Sequence, residues 1–397
     1  MVEWKKLGDL GSFENIGVDK KIVDGEQLVT LLNYVDVYHN KNIDSSIPQM
    51  QVSAPEKKIQ ACTVEQGDIF VTPTSETIDD IGHSSIITET IPHAVYSYHI
   101  MRYRLFEKNM LLSYYINYTF DTYNIKQQIL KKAQGLTRFG LSKDKFASIL
   151  IPIPSLSEQQ RIVSILDTFT SSISNLKQQI EERRKQYEYE RDLLLDLEGK
   201  EGVEMKKLGE MFSFKNGLNK GKEFFGKGKP IIMFTNVFNS RFITKAMIKS
   251  RVDISEQELE RINAQIGDVF FTRTSETKED VGYASVLVED MEECTFAGFL
   301  IRARPITHKM LPQYCKYCFS TPKVRNAIVS KSSFTTRASL TGSGLGEVII
   351  PLPPLSTQSR IVSILDTFEQ SIANLEEQLA MREKQYEYYR NQLLTFE

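Results

Sequence analysis

The 397-residue chain is 41% hydrophobic and 25% charged, an ordinary globular composition, and its length suggests two to three domains. No stretch approaches the ~20 consecutive apolar residues that a membrane span needs, and the start, Met1-Val2-Glu3-Trp4-Lys5-Lys6, has no apolar signal core behind it, so a cytoplasmic protein is expected. The net charge of −2 does not mark a nucleic-acid binder, but it averages unlike segments: residues 199–354 carry 23 Lys and Arg against 17 Asp and Glu, net +6, while residues 1–155 stand at −2 and residues 156–198 and 355–397 at −3 each. An anionic partner needs only a local positive surface.

From the N-terminus, short β-rich runs at Gln27–Val37, Ile69–Thr72, Ser84–Thr88 and Val95–Tyr103 predict strands, punctuated by glycine and proline. Leu111–Gln134 reads as helical. Together they predict a mixed α+β globular domain over residues 1–155. Ile-Pro-Ile-Pro at 151–154 then fixes an extended lead-in, because the residue before a proline avoids the α region. Ser157 is the expected N-cap of a long helix, with Glu158 in the first turn where an acid suits the dipole. Over residues 156–198 apolar residues recur by sevens, in one row at Leu166, Ile173, Ile180, Tyr187 and Leu194 and in another at Ile162, Phe169 and Leu176.

The chain then repeats itself. Residues 67–82, GDIFVTPTSETIDDIG, return as GDVFFTRTSETKEDVG at 267–282, and LIPIPSLSEQQRIVSILDTF at 150–169 returns as IIPLPPLSTQSRIVSILDTF at 349–368. A second α+β domain is therefore expected over 199–354 and a second long helix over 355–397. Its heptad rows are Leu365, Ile372, Leu379, Tyr386 and Leu393, and Ile361, Phe368, Leu375 and Tyr389. Sustained heptads predict a coiled-coil seam, interrupted at matching places by Arg183 and Arg382, which either snorkel or mark register. Connectivity makes the pair antiparallel, a spacer of roughly 55 Å at ~1.5 Å per residue, with the domains at its two ends about a pseudo-twofold axis.

Of four cysteines only Cys315 and Cys318 are close. No second pair or histidine cluster stands at zinc spacing, so both are read as buried thiols on a helix spanning Pro312–Ser330, with Tyr314 and Val324 on the same apolar face. Gly221–Lys227 approaches a nucleotide-binding loop, but Gly228 stands where Ser or Thr is required and a strand-like run follows. The sequence also lacks an Asp/Asn-Pro-Pro-aromatic methylation block, a glycine-rich cofactor loop after a strand and any motif grouping Ser, His and Asp, so an enzyme is not expected.

The repeated Gly-Asp-Ile-Phe and Gly-Asp-Val-Phe blocks, Leu-Thr-Arg-Phe-Gly-Leu-Ser at 136–142 with its echo Thr-Thr-Arg-Ala-Ser-Leu at 335–340, and the proline lead-ins resemble the specificity subunits of type I restriction–modification systems over essentially the whole chain. No block alone is specific; their order, twice over at near-constant spacing, is. The resemblance implies two target-recognition domains, at 1–155 and 199–354, each reading one half of a bipartite DNA site, and spacer helices at 156–198 and 355–397. It implies a non-catalytic subunit that holds two adenine-N6 methyltransferase subunits and often restriction subunits. S-adenosylmethionine, ATP and Mg belong to those partners, and no cofactor to this chain. The competing reading is a coiled-coil adaptor that binds no DNA.

Phosphate clamping needs flexible cations and free amides, and base reading favours planar side chains. Lys215, Lys220, Lys222, Lys227 and Lys229, among four glycines and two asparagines, form the best clamp, read as a basic loop. Arg138 and Arg337 stand at matching places, which suits the shared frame or phosphate contact better than unique base reading. Arg102 and Arg104, and Arg302 and Arg304, alternate along strands and share a face, either DNA-facing or solvated. Arg273, opposite Pro73 in the first copy, either touches DNA or is structural. Tyr34 and Phe234 are expected in the core.

Overall fold

The computed structural model describes residues 2–396 and separates into two units, residues 1–177 with 377–397, and residues 178–376. Met1 and Glu397, the ends of the outermost predicted segments, lie outside the described residues. Both unit boundaries fall inside the long helices, so each unit holds one globular domain and half of each helix.

In unit 1 a five-stranded sheet runs in the order Gly11–Glu14, Met101–Leu105, Ile69–Val71, Ser84–Ile87, Asn42–Ile43. Its centre is the Ile69-Phe70-Val71 run, buried throughout because both faces are covered. Alternate side chains serve two cores. Ile69 and Val71 join helices Met110–Thr119 and Tyr123–Lys132 and the start of the first long helix, while Phe70 packs under a smaller sheet ordered Met50–Ala54, Gln27–Leu32, Ala94–Tyr96. A separate ribbon pairs Glu3–Lys6 with Leu150–Ile153, Trp4 opposite Pro152. A two-stranded ribbon tolerates the missing proline N–H, so the Ile-Pro-Ile-Pro lead-in is a strand that ties the domain's start to its end.

Unit 2 repeats this scheme. Its large sheet runs Phe212–Asn216, Leu300–Pro305, Val269–Thr272, Ala284–Leu287, Phe242–Ile243, and its ribbon pairs Glu204–Lys207 with Ile349–Leu352. Val269 and Phe271 face one core and Phe270 the other.

Several sequence expectations shift. The Gln27–Val37 run is a strand only to Leu32; Asn33 caps a helix over Tyr34–His39, accepting from the Val35 amide at 2.9 Å. Leu111–Gln134 and Pro312–Ser330 are each two helices, broken where Thr122 and Thr321 cap the second. All four cysteines are buried and free, and burial holds the Cys315 thiol well above its ordinary value. The first long helix spans Leu156–Leu195, and its cap is Ser155, whose hydroxyl accepts from Glu158, not Ser157.

The second long helix spans Leu355–Leu393. Leu166, Phe169, Ile173, Leu176, Ile180 and Tyr187 are buried or half-buried, as are Leu365, Phe368, Ile372, Leu375, Leu379 and Tyr386. In unit 1 Phe169 stacks on Tyr389 at 5.3 Å and Lys177 reaches Glu383 at 3.3 Å. In unit 2 Tyr187 meets Phe368 at 6.4 Å and Arg184 reaches Glu376 at 2.5 Å. Rising numbers on one helix meet falling numbers on the other, so the halves are antiparallel in each unit. The seam arginines do not escape to solvent: Arg183 lies over the Phe368 ring at 5.8 Å and Arg382 over Phe169 at 5.7 Å. Each thus keeps its charge by stacking on the facing helix's aromatic residue.

Candidate nucleic-acid interface

The repeated Gly-Asp block has a structural cause. Gly67 and Gly267 take φ of 88° and 87°, a left-handed turn that delivers the next residue into the sheet. Asp68, 1% exposed, then grips Arg104 in a two-bonded fork, Oδ1 to Nε and Oδ2 to Nη2, both at 2.6 Å. Asp268 holds Arg304 the same way at 2.8 and 2.6 Å. Arg102 is buried against Glu14 and the Thr63 carbonyl, and Arg302 against Asn263, each also stacked over an aromatic ring, Tyr96 or Phe296. The four strand arginines are thereby engaged inside the fold. The face that alternation assigned to them is not freely solvated, because the neighbouring turn supplies buried carboxylates that alternation does not reveal.

The glycine- and lysine-rich stretch is only partly a loop. It is the end of one strand, an irregular segment over 217–221 that holds Lys220, a single turn at Lys222–Phe224 and an eight-residue strand, Phe225–Ile232, paired with Arg251–Val252 across a bulge. Gly228 sits in that bulge at φ 90°, where a Cβ would stand 2.4 Å from the Val252 carbonyl oxygen. The lysines differ. Lys220 is drawn to Glu258 at 2.8 Å, Lys227 to Asp253 at 3.3 Å, and Lys229 to Glu293 at 2.5 Å and Glu256 at 3.4 Å. Lys215 and Lys222 are exposed, with no carboxylate in ion-pair reach among the described residues. Arg273 is half-buried: Nη1 lies 3.4 Å from the Gly298 carbonyl, and Nε is buried without a partner.

The Thr-Ser-Glu-Thr turn that follows the central strand carries an arginine in each unit. Arg138 is exposed, its Nη2 3.3 Å from Thr74 Oγ1, and Arg337 lies 3.8 Å from Glu276. In unit 1 this turn, the Tyr34–His39 helix, His99 and Arg138 enclose an open cleft of about 470 Å³. Tyr34 is not core: one side packs on the small-sheet core, and its hydroxyl donates to the Thr74 carbonyl at 3.2 Å. Tyr38 stacks beside it, and its hydroxyl donates to Asp80 at 3.3 Å, which raises the phenol's pKa. His83 also binds Asp80, at 2.7 Å. Partial burial, aided by Lys20 and Arg138, pushes the His99 pKa below that of ordinary imidazole. The sequence pattern marks Arg138 and assigns Tyr34 to the core, but it does not single out Tyr38, Asp80, His83 and His99, which lie far apart along the chain. The only signal available was their repetition-breaking chemistry: Phe234, Phe238, Tyr283 and Phe299 stand at the equivalent positions. Phe234 likewise is half-buried, stacked on Phe238 at 5.5 Å.

A family model described as type I restriction modification DNA specificity domain matches residues 1–183 and again residues 200–381. The chain belongs to this family. Similar curated proteins include the EcoKI specificity subunit of Escherichia coli K12, 27% identical over 274 residues, and the EcoR124I/EcoR124II specificity subunit of Escherichia coli, 29% identical over 272. The matched segments cover 63% and 62% of this chain but only 58% and 63% of those relatives. The fold is similar over nearly the whole chain to the S subunit from M. genitalium, with TM-score 0.56, 13% identity and coverage of 100% and 97%. It is also similar to a chain from a study of complex assembly and conformational transition of the type I R-M system, with TM-score 0.58, 18% identity and coverage of 99% and 96%. Two specificity domains in tandem, each completed by antiparallel helix halves, are thus the family's architecture in this chain.

Proposed function

We propose that the chain is the non-catalytic DNA-reading subunit of a type I restriction–modification complex. Each globular domain reads one half of a split site, and the long helices set the gap and dock methyltransferase and restriction subunits. The observation that carries this is the duplication itself: one scaffold built twice, with matching internal ties at Asp68–Arg104 and Asp268–Arg304, but with unlike side chains around the shared Thr-Ser-Glu-Thr turns, Tyr34, Tyr38 and His99 against Phe234, Phe238 and Phe299. A common frame with divergent surfaces suits a reader of two different half-sites, since domain spacing on a duplicated frame mirrors half-site spacing on DNA. S-adenosylmethionine, ATP and Mg would act on the partner subunits. Among the described residues no helix is long and apolar enough to cross a membrane.

Methylome sequencing of cells that express this chain with a cognate methyltransferase subunit tests the reading. A new split adenine motif is expected. If both proteins are folded and associated but no motif arises, and DNA binding does not weaken with salt, the adaptor reading replaces it. Lys215→Ala with Lys222→Ala should lower affinity and flatten the salt slope by up to about two ions while leaving the motif intact. A changed motif would show that these lysines touch bases.

A further inference from the structure

The surfaces beside the two Thr-Ser-Glu-Thr turns, a cleft in unit 1, follow the same order of elements and differ in chemistry. In unit 1 the walls are Tyr34, Tyr38 and His99, with Asp80 and His83 behind Tyr38. These groups supply hydroxyl and imidazole donors and acceptors. At the equivalent places unit 2 has Phe234, Phe238 and Phe299. Phe299 is 58% exposed, Phe238 is 38% exposed and lies against Tyr283 at 4.9 Å, so this surface offers aromatic faces and no hydrogen bonds from those positions. The arginine over the turn is common to both, Arg138 and Arg337. A group retained in both copies suits what is common to both half-sites, the phosphate backbone; a group that differs suits what differs, the bases.

We propose that Tyr34, Tyr38 and His99 determine the base preference of the first half-site by hydrogen bonds to base edges, while Arg138 anchors the neighbouring phosphate. The inference deepens, and rests on, the DNA-reading function above. Local geometry supports the division of labour. Tyr34 and Tyr38 are fixed by bonds to the Thr74 carbonyl and Asp80, so their orientation is set before DNA arrives. His99, held neutral by burial and by the neighbouring cations, keeps one ring donor and one ring acceptor near neutral pH. Arg138 stands exposed at the rim, with a single weak contact to Thr74 to give up. The phenylalanines of unit 2 can contact a thymine methyl or a sugar, which gives the two halves different codes on one scaffold.

The test uses the assembled methyltransferase complex and its methylome. Tyr34→Phe, Tyr38→Phe and His99→Phe, singly and together, install the second domain's side chains. They should relax or change the first half-site only, with discrimination at an affected position falling about tenfold or more. Arg138→Ala should weaken binding to every site alike without altering the motif. Thermal melting of each variant complex checks folding; the Tyr→Phe changes remove one hydroxyl each, so at least these keep the test open. An unchanged first half-site with unchanged discrimination in the folded triple variant overturns the inference while leaving the DNA-reading function standing. A change confined to the second half-site overturns it as well. A wild-type complex that writes no split motif overturns the function, and the inference falls with it.

Discussion

Asp268 is 1% exposed and grips Arg304 through two bonds, and it also accepts from the Gln265 amide at 2.7 Å. Removing one partner of a fully buried pair costs about 3–5 kcal/mol; Arg304 keeps 24% side-chain exposure, and Arg104 keeps 27% and a second carboxylate, Glu65 at 2.9 Å, so the loss here is smaller. Asp268→Ala should therefore lower unfolding free energy by about 3 kcal/mol or less in urea titrations, and Asp68→Ala by less still, because Glu65 remains beside Arg104. A loss within experimental scatter would mean that water reaches and solvates the orphaned guanidinium. His99 offers a second residue-scale check. Desolvation and the nearby Lys20 and Arg138 charges hold its pKa below the ordinary imidazole value. NMR titration should place its midpoint below that of a free histidine, and Arg138→Ala should move it upward because one repelling cation is gone. An unmoved midpoint would show that Arg138 does not face the imidazole in solution.

At the scale of elements, the long helices are held to the domains unequally. In unit 2 Arg241 bonds Tyr187 on the first helix at 2.8 Å and Glu369 on the second at 2.9 Å, and Lys316 pairs with Glu369 and with Asp366 at 3.1 Å. In unit 1 the equivalent of Arg241 is Lys41, which instead pairs with Asp121 inside the domain at 2.7 Å, and the tie to the first helix is Tyr118 on Asp167 at 2.5 Å. Arg241→Ala should thus loosen the second domain's grip on both helices. Hydrogen exchange at the Tyr187 and Glu369 segments should rise, whereas Lys41→Ala should raise exchange around Asn117–Asp121 and spare the helices. Equal effects on the helices from both variants would refute the asymmetry. Heptad spacing alone foretold that two helices pair. It gave no hint of these ties, because Arg241 and Lys316 lie outside any periodic pattern.

For the molecule as a whole, the spacer role is open to direct manipulation. A heptad inserted after both Ile180 and Leu379, which are equivalent seam positions, preserves the stripe and lengthens each helix by about 10 Å, or roughly three base pairs of DNA. The gap in the methylated motif should widen while both half-sites stay as they were. Altered half-sites with an unchanged gap would contradict the spacer role.

The sequence by itself determined the duplication, the α+β content of each copy, the paired helices and their antiparallel sense. These are written in local periodicity, in near-exact recurrence and, for the antiparallel sense, in connectivity, none of which needs knowledge of distant contacts. It also placed Arg138 and Arg337 at matching positions of the repeat. Only the tertiary structure decided what each cation does. Arg102, Arg104, Arg302 and Arg304 are read from alternation as an outward face, but Arg102 and Arg302 are buried, and Arg104 and Arg304, about a quarter exposed, are tied to the buried Asp68 and Asp268. Lys220, Lys227 and Lys229 are read as a free basic loop, but the fold brings them beside Asp253, Glu256, Glu258 and Glu293, Lys227 and Lys229 on a strand. The cleft of Tyr34, Tyr38 and His99 was illegible for the same reason. Charge and hydrogen-bonding capacity are properties of a residue, but whether they are free to meet a partner depends on neighbours supplied from elsewhere in the chain, which only the folded structure brings together.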